Sequence, residues 1–250
     1  MSEFPANITL PVDLTNPGQI FACCGLLELA DRLWPGAEGW FGKRTFSIHT
    51  VDQSKSLPEL MAEVRSMIFE VGDDTEGDED DSGEDAPAVA PIYLQWKNNE
   101  RAIQLDWWSE KSIKPWAGSM KERVILRAML DAVDPSKTDP FGDLKPVLYK
   151  SPSKKNPAKK EPFYFDPRRG NKSHPLDSGF SPDTHHMQSE CCPALEALCF
   201  IGLQRARPGS TGITNQSRYT VWMRHIHANL IGPVICGIVP LPESSTYVFN

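Results

Sequence analysis

The residues that come nearest to a metal site are two adjacent pairs, His185–His186 and Cys191–Cys192, with His174 upstream. Zinc takes ligands in a tetrahedral array, usually from Cys or His residues with a few positions between them. Adjacent cysteines suit this poorly because neighbouring side chains diverge, and an apolar helical pattern follows them. The sequence favours buried structural cysteines, and a zinc-dependent nucleic-acid enzyme is the weaker alternative.

Other catalytic signatures are missing from the sequence. It contains no Walker loop, no Gly-x-Gly-x-x-Gly and no Gly-x-Ser-x-Gly, the motifs that cradle phosphates or carry a nucleophile. His225 and His227 alternate on a predicted strand, which is typical of one solvated face. We therefore expect a protein without enzymatic activity and without a cofactor.

Nucleic-acid binding has a better signal, in two segments that combine cations with aromatic residues. Lys and Arg neutralise phosphates, and aromatic rings stack on bases or wedge between them. The alternatives are core packing for Trp107, Trp108 and Trp116, and a solvated loop for the lysines. The candidate residues are Lys111, Lys114 and Trp116 in the first segment, and Lys154, Lys155, Lys159, Lys160, Arg168, Arg169 and Lys172, around Phe163–Phe165, in the second.

The net charge of −7 is unevenly distributed along the 250 residues. Ten of the 33 acidic residues lie between Glu70 and Asp85, and without them 23 acids face 26 Lys and Arg, a net charge of +3. A solvated insertion is the preferred interpretation of this stretch, and a mimic of the DNA backbone is the alternative. The rest of the chain is mildly basic, which permits a nucleic-acid partner.

The segment from Asn16 to Trp34 predicts a buried central helix. Asn16 can cap it, Pro17 suits its first turn, Gln19 can close a capping box, and Pro35-Gly36 ends it. Apolar residues recur at steps of three and four between these ends. We expect residues 16–19 to form an exposed corner at the start of this helix.

The whole pattern predicts an α+β fold with mostly antiparallel sheets packed by a few amphipathic helices and joined by long polar loops. We expect an N-terminal α+β half over 1–133 with a mobile acidic insertion at 72–90, a Pro- and Lys-rich loop region over 134–188, and helix plus strands over 189–250, which form one compact domain with the N-terminal half. Predicted strands cover 7–14, 40–51, 92–96, 102–105, 219–223, 234–239 and 246–249, and predicted helices begin at Ser56, Ser189 and near Ser119, the first continuing to Val71.

No run of about 18 apolar residues is present, and no signal peptide is recognisable. The six cysteines do not form the pattern of a secreted disulfide framework. These observations predict a cytoplasmic protein without membrane contact.

Several stretches together resemble the large-subunit family of type I-G (formerly I-U) CRISPR–Cas effector complexes, in its compact Csb-type form. The resemblance covers most of the chain apart from residues 50–90 and the lysine-rich loop. The stretches are Val12–Ala30, Leu105-Asp-Trp-Trp108, Lys114-Pro-Trp-Ala-Gly118, Gly179-Phe-Ser-Pro182 and Pro193–Arg205.

This resemblance implies a non-catalytic subunit of a crRNA-guided Cascade, partnered by the other Cascade subunits and the crRNA. Such a subunit helps recognise the motif (PAM) that flanks the target in double-stranded DNA, helps open the duplex, and helps recruit the helicase–nuclease transiently.

Reading a flanking motif requires polar side chains that reach base edges. Asn16 and Gln19 are the candidates for this task, with Gly18 allowing close backbone approach. Lys114 and Trp116 are the candidates for holding separated strands, and the Lys150–Lys172 loop for holding one of them. A structural adaptor that bridges Cascade subunits and the crRNA 5′ handle without touching DNA is the alternative.

Overall fold

The structure, a computed structural model, describes residues 5–71, 91–96, 99–109, 115, 122–147, 149–150, 159–160, 165–168 and 190–249. These residues form an α+β fold with five α-helices and several small antiparallel sheets. Among them, no helix combines the length and apolar character needed to cross a membrane. The acidic run between positions 72 and 85 lies outside the described residues.

The N-terminal unit is a split β-α-β arrangement. Strands β1 (Ile8–Pro11) and β2 (Glu38–Phe41) both pair antiparallel with β3 (Thr45–His49), so they run parallel to each other, and helix α1 (Pro17–Leu33) connects them. A two-residue strand from far along the chain, β13 (Ile226–His227), pairs with the other edge of β2. The four-stranded sheet has the order β1-β3-β2-β13.

Two three-stranded sheets and two short strand pairs complete the β-structure of the described residues. The first sheet contains β4 (Ile68–Val71), β5 (Ile92–Trp96) and β6 (Asn99–Leu105), and the second contains β11 (Gly209–Ser210), β12 (Ser217–Trp222) and β14 (Ser244–Phe249). The pairs are β7 (Lys145–Pro146) with β10 (Glu190–Cys191), and β8 (Tyr149–Lys150) with β9 (Lys159–Lys160). The remaining helices are α2 (Leu57–Ser66), α3 (Glu122–Ala132), α4 (Pro193–Gly202) and α5 (Ile231–Ile235).

Helices α1 and α4 cross at the centre of the molecule. A Cβ atom at Gly25 would overlap the carbonyl oxygen of Leu198, and one at Gly202 would overlap that of Phe21. The two glycines therefore allow the helix backbones to touch. Both helices are almost entirely buried, in agreement with their apolar sequences.

The Trp107–Trp108 pair packs on α4 in a single core cluster that includes residues from both ends of the chain. Trp107 Nε1 donates to the carbonyl of Phe200 at 2.8 Å, and the Gln204 side chain binds the backbone amides of Asp106 and Trp107. Both tryptophans are buried. Core packing accounts for them, which was one of the two interpretations that the sequence left open.

Several predicted elements are confirmed and four differ. The predicted strand 40–51 is a hairpin, β2–β3, because Gly42-Lys43-Arg44 makes a turn. Helix α2 ends at Ser66, and Ile68–Val71 forms β4 because it pairs with β5. Helix α4 begins at Pro193 after the Cys192 cap, four residues later than Ser189. The predicted strand 234–239 is wrong, because Ile231–Ile235 is helical and buries Ile231, Val234 and Ile235.

Candidate nucleic-acid interface

At the start of α1, the predicted Asn16 cap is present, but the predicted capping box with Gln19 is not. Asn16 Oδ1 accepts a hydrogen bond from the Gln19 amide at 3.3 Å, which is the expected N-cap contact. The Gln19 side chain does not return to the Asn16 amide. Its Oε1 accepts from the Asp13 amide at 2.6 Å, so it fixes the chain that leads into the helix rather than closing a capping box.

The prediction of an exposed corner is wrong for Asn16 and Gln19, because each is only 3% exposed. The segment Phe165–Arg168 covers this corner. Asn16 Nδ2 donates to Asp166 Oδ1 at 2.9 Å, and a Cβ at Gly18 would lie 2.7 Å from the Phe165 carbonyl oxygen. Gly18 does permit a close backbone approach, as predicted, but the approaching backbone belongs to the protein itself.

Asn16 thus has two functions, capping α1 and holding Asp166, and an aspartate substitution separates them. Asp is as good an N-cap as Asn, but in Asn16→Asp the second oxygen would face the Asp166 carboxylate. We expect Asn16→Asp to lower the free energy of unfolding by about 1–3 kcal/mol. The reason is that a carboxylate oxygen would replace the donor, so that two buried acceptors would face each other with no hydrogen between them. Urea denaturation measures this. Asn16→Ser, which keeps a cap without a negative charge, is the matched control, and an Asn16→Asp protein as stable as the parent would contradict the Asp166 contact.

Two buried carboxylates hold the Phe165–Arg168 segment against the helices. Asp166 is 2% exposed and Glu196, on α4, is 1% exposed. Glu196 accepts hydrogen bonds from the Phe165 amide at 2.6 Å and the Asp166 amide at 3.1 Å. This satisfies buried charge with buried donors, which is the condition for a carboxylate to be stable in a core.

Asp166 in turn orients Arg168. The Arg168 Nε lies 3.1 and 3.0 Å from the two Asp166 carboxylate oxygens, and its Nη2 donates to Asp166 Oδ2 at 2.6 Å and to the Phe141 carbonyl at 2.7 Å. Hydrogen bonding to Asp166 raises the pKa of Arg168. Nη1 makes no hydrogen bond within the part of the chain that the structure describes, so its two N–H groups remain available as donors.

Arg168 lines an open cleft of about 530 Å³, which we call the Arg168 cleft. It lies where the C-terminal end of β1 meets the turn of the β2–β3 hairpin. The other lining residues are Pro11, Val12, Asp13, Leu14, Thr15, Gln19, Lys43, Arg44, Asp139, Phe141 and Tyr247.

Three cations and two carboxylates face this cleft. Lys43 and Arg44 are exposed at the hairpin turn, and neither forms an ion pair with any residue in the described ranges. Asp13 accepts from the Thr15 amide at 2.9 Å and the Thr15 hydroxyl at 2.7 Å, while Asp139 accepts from the amides of Phe141 and Gly142. The Thr15 hydrogen bonds, followed by the charges of Arg44 and Arg168, lower the pKa of Asp13. The carboxylates are therefore occupied in shaping turns, and Lys43 and Arg44 are exposed cations that form no ion pair within the described ranges.

The cleft brings together two of the residues predicted from sequence, Gln19 and Arg168. Asn16 and Gly18 lie behind it. Lys159 and Lys160 form β9 against β8. The predicted residues Lys111, Lys114, Trp116, Lys154, Lys155, Arg169 and Lys172 lie outside the described residues. Sequence reasoning missed Lys43 and Arg44, although a Gly-Lys-Arg turn inside a predicted strand was a readable signal of a hairpin that exposes two cations.

The cysteines of the proposed zinc site are buried. Cys191 and Cys192 are 1% and 0% exposed, Cys192 Sγ donates to the Pro140 carbonyl at 2.8 Å, and burial raises the pKa of Cys192 to about 12. His174, His185 and His186 lie outside the described residues, and no group of three metal-ligating side chains forms among the others. The cysteines point inwards, as the preferred interpretation of the sequence expected.

Cysteine burial makes thiol reactivity a direct test. Five of the six cysteines are buried, and Cys236 is intermediate. Since the thiolate is the reactive species, we expect native protein at pH 8 to show one fast-reacting thiol with Ellman's reagent and five that react only after unfolding. Cys236→Ser should abolish the fast phase, with Cys192→Ser as the control that retains it. A second fast thiol lost in Cys191→Ser or Cys192→Ser would contradict the buried arrangement.

His225 and His227 do not lie on a simple solvated face. The imidazole of His225 stacks on Trp40 with ring centroids 3.8 Å apart and planes 4° apart. His227 Nε2 lies 3.3 Å from Asp31 Oδ1. Both histidines are half-buried against neighbours.

Comparisons with family models, with curated proteins and with solved structures find no match to this chain.

Proposed function

We propose that this chain is a non-catalytic subunit of a crRNA-guided type I CRISPR surveillance complex. In this proposal it binds double-stranded target DNA beside the flanking motif, aids duplex opening and helps recruit the helicase–nuclease. It acts in the cytoplasm with the other Cascade subunits and the crRNA as partners. The resemblance of its sequence stretches to the type I-G large-subunit family supports the assembly, and the Arg168 cleft supports the contact with nucleic acid.

The observation that carries the nucleic-acid contact is the convergence of Lys43, Arg44 and Arg168 on one open cleft. Arg168 is fixed by Asp166 and presents the N–H groups of Nη1, whereas Lys43 and Arg44 are exposed and can follow a charged backbone. Such a combination of one fixed guanidinium and two exposed cations suits phosphate oxygens, which need charge and directional donors. Thr15 and Gln19 add polar groups beside them.

The salt dependence of binding tests this proposal. Each phosphate contact contributes about −0.9 to the slope of log K against log salt for duplex DNA. We expect Lys43→Ala/Arg44→Ala, assembled with guide RNA and the other subunits, to bind target duplex more weakly and with a slope shallower by about 1–2. The measurement is a titration of labelled duplex at several salt concentrations.

Arg65→Ala is the matched control, because Arg65 is an exposed cation in the last turn of α2, which does not line the cleft. It should leave the slope unchanged. If the double variant keeps both the affinity and the slope of the parent complex, the cleft does not contact phosphates. The proposed role in recognising the flanking motif is tested separately. Complexes are assembled with and without the chain, and their binding is compared on duplexes that differ in the flanking bases.

A structural adaptor is the second candidate function, and the surface around β14 favours it. Strand β14 pairs only with β12 among the described strands, and its Val248 is 56% exposed. Ile213 and Ile238, elsewhere in the C-terminal part of the chain, are 62% and 76% exposed. Apolar side chains and an open strand edge suit contact with another protein chain. An unchanged salt slope in the Lys43/Arg44 variant, together with loss of complex assembly without the chain, would favour this function.

A further inference from the structure

The four-stranded sheet has one face against α1 and an opposite, outer face. Residues on the α1 side, such as Leu10, Phe41 and Ile48, are buried. On the outer face Thr9 is exposed, and His49, Trp40 and His227 are half-buried. The outer face is therefore partly open, although Ser47 between Thr9 and Trp40 is buried, and it carries aromatic and polar side chains where a second core would require aliphatic ones.

Towards the β13 edge of the outer face, the ring of Trp40 on β2 stacks on the ring of His225, which directly precedes β13. Their ring centroids are 3.8 Å apart at an interplanar angle of 4°. Phe41–Trp222 and Trp107–Phe200 in the core meet edge-on, at 80° and 65°. The side chain of His225 is 31% exposed. The two rings thus stack face to face and are partly exposed, and an unpaired base can extend such an aromatic stack.

Hydrogen-bonding groups surround this ring pair. The Thr9 and Ser47 hydroxyls, 3.2 Å apart, lie in the same cross-strand row as Trp40. In the next row Glu38 stands between His49 and His227, since it is the Cα partner of both. Donors and acceptors at the rim of a stacking surface can bond to the exposed edges of a base.

The outer face also continues into the Arg168 cleft. Strand β2 leads from Trp40 into the turn that bears Lys43 and Arg44, a separation of three residues or about 10 Å along an extended chain. A phosphate held at the turn would place the adjacent nucleotides over the outer face. Cations that track a backbone next to aromatic rings that take bases are the combination found in proteins that bind single strands.

We propose that the outer face of the sheet binds unpaired nucleotides, which stack on the Trp40–His225 pair while their backbone enters the Arg168 cleft. The inference deepens the proposed function and rests on the cleft as a phosphate site. It names the ligand as a single strand, of RNA or of DNA, where the proposed function names a duplex.

The test is the affinity of the full-length protein for a fluorescent 12-nucleotide strand, measured by anisotropy with RNA, with DNA of the same sequence, and with the DNA duplex. Loss of one stacked base weakens binding by about tenfold or more. We expect Trp40→Leu to show this loss for RNA, for DNA or for both, and Trp40→Phe to restore most of it. The loss should be smaller for the duplex, whose bases are already stacked. RNA and DNA affected alike would indicate contact through the bases, and RNA alone would indicate a contact with the 2′-hydroxyl.

Trp34→Leu is the matched control, because Trp34 is another half-buried tryptophan, located near Lys55 at the end of α1. His225→Ala provides a second variant, in the other ring of the pair. If Trp40→Leu and His225→Ala are folded by circular dichroism and bind both single strands as the parent does, the inference is wrong. Stacking does not release counterions, so these variants should keep the salt slope that Lys43→Ala/Arg44→Ala lowers. Failure of the stacking site is thus distinguishable from failure of the cleft.

Discussion

Replacing Gly25 by alanine should lower the free energy of unfolding by about 3 kcal/mol or more, the upper range for overpacking a core. Alanine is the better helix former by about 1 kcal/mol, so intrinsic propensity predicts the opposite sign. The added Cβ would overlap the Leu198 carbonyl oxygen, which is part of the α4 backbone and cannot turn away like a side chain. The helices would have to separate along the centre of the core.

Urea denaturation of Gly25→Ala measures this effect. Ala62→Gly measures the difference in helix propensity between alanine and glycine alone, because Ala62 is exposed on α2. This substitution should lower the free energy of unfolding by about 1 kcal/mol. Gly202→Ala meets the Phe21 carbonyl at the same crossing and should behave like Gly25→Ala. The double variant should cost less than the two single effects added together, since one separation of the helices relieves both overlaps. A stabilised Gly25→Ala protein would show that α1 and α4 do not touch.

Replacing Glu196 by alanine should lower the free energy of unfolding by about 3 kcal/mol. The change removes the carboxylate that accepts hydrogen bonds from the backbone amides of Phe165 and Asp166. Hydrogen bonds to a charged acceptor contribute more than neutral ones, so their loss is costly. Glu196→Gln should cost about 1–2 kcal/mol, because one amide oxygen still accepts while the NH₂ group faces a donor. The expected order of stability is parent, Glu196→Gln, Glu196→Ala.

The same variants carry a second readout, since the Glu196 carboxylate holds the segment that contains Arg168. At temperatures where the variants remain folded, both should bind target duplex more weakly than the parent. Glu59→Ala is the control for loss of a glutamate on a helix. Glu59 pairs with Lys55 at the surface, so its removal should cost no more than about 0.5 kcal/mol and leave binding unchanged. Full stability and affinity in Glu196→Ala would contradict the role assigned to this carboxylate.

Local signals predicted the parts of the fold that local chemistry decides. The Asn16 cap, the proline at the first turn and the apolar spacing defined α1, and the predicted strands 92–96 and 102–105 located β5 and β6. Predictions failed where a neighbour distant in sequence overrides local preference. Ile68–Val71 continues the apolar pattern of α2 but pairs with β5. Residues 234–239 alternate like a strand, yet Ile231–Ile235 packs as a helix against β12.

The site was less predictable than the fold for the same physical reason. Asn16 is separated from Asp166 by 150 residues, and Glu196 from Phe165 by 31. A sequence pattern identifies Asn16 as a helix cap through its side-chain oxygen. It gives no sign that the side-chain NH₂ group of Asn16 binds the Asp166 carboxylate. Gln19 and Arg168 were chosen by residue type, whereas the hairpin cations beside them became recognisable only when β2 and β3 were known to be two strands.

The pairing of β13 with β2 has a consequence for the synthesis of the chain. Residues 226–227 close an edge of a sheet whose other strands end at residue 49, and α4, which covers α1, begins at residue 193. A ribosome must therefore complete most of the 250 residues before the outer edge of β2 and the α4-facing side of α1 can be covered. At about 5–20 residues per second, the side of α1 that packs on α4 stays uncovered for roughly ten seconds or longer. The nascent chain should depend on chaperones during this interval, and long-range closure should make refolding slow compared with that of a helical protein of equal size.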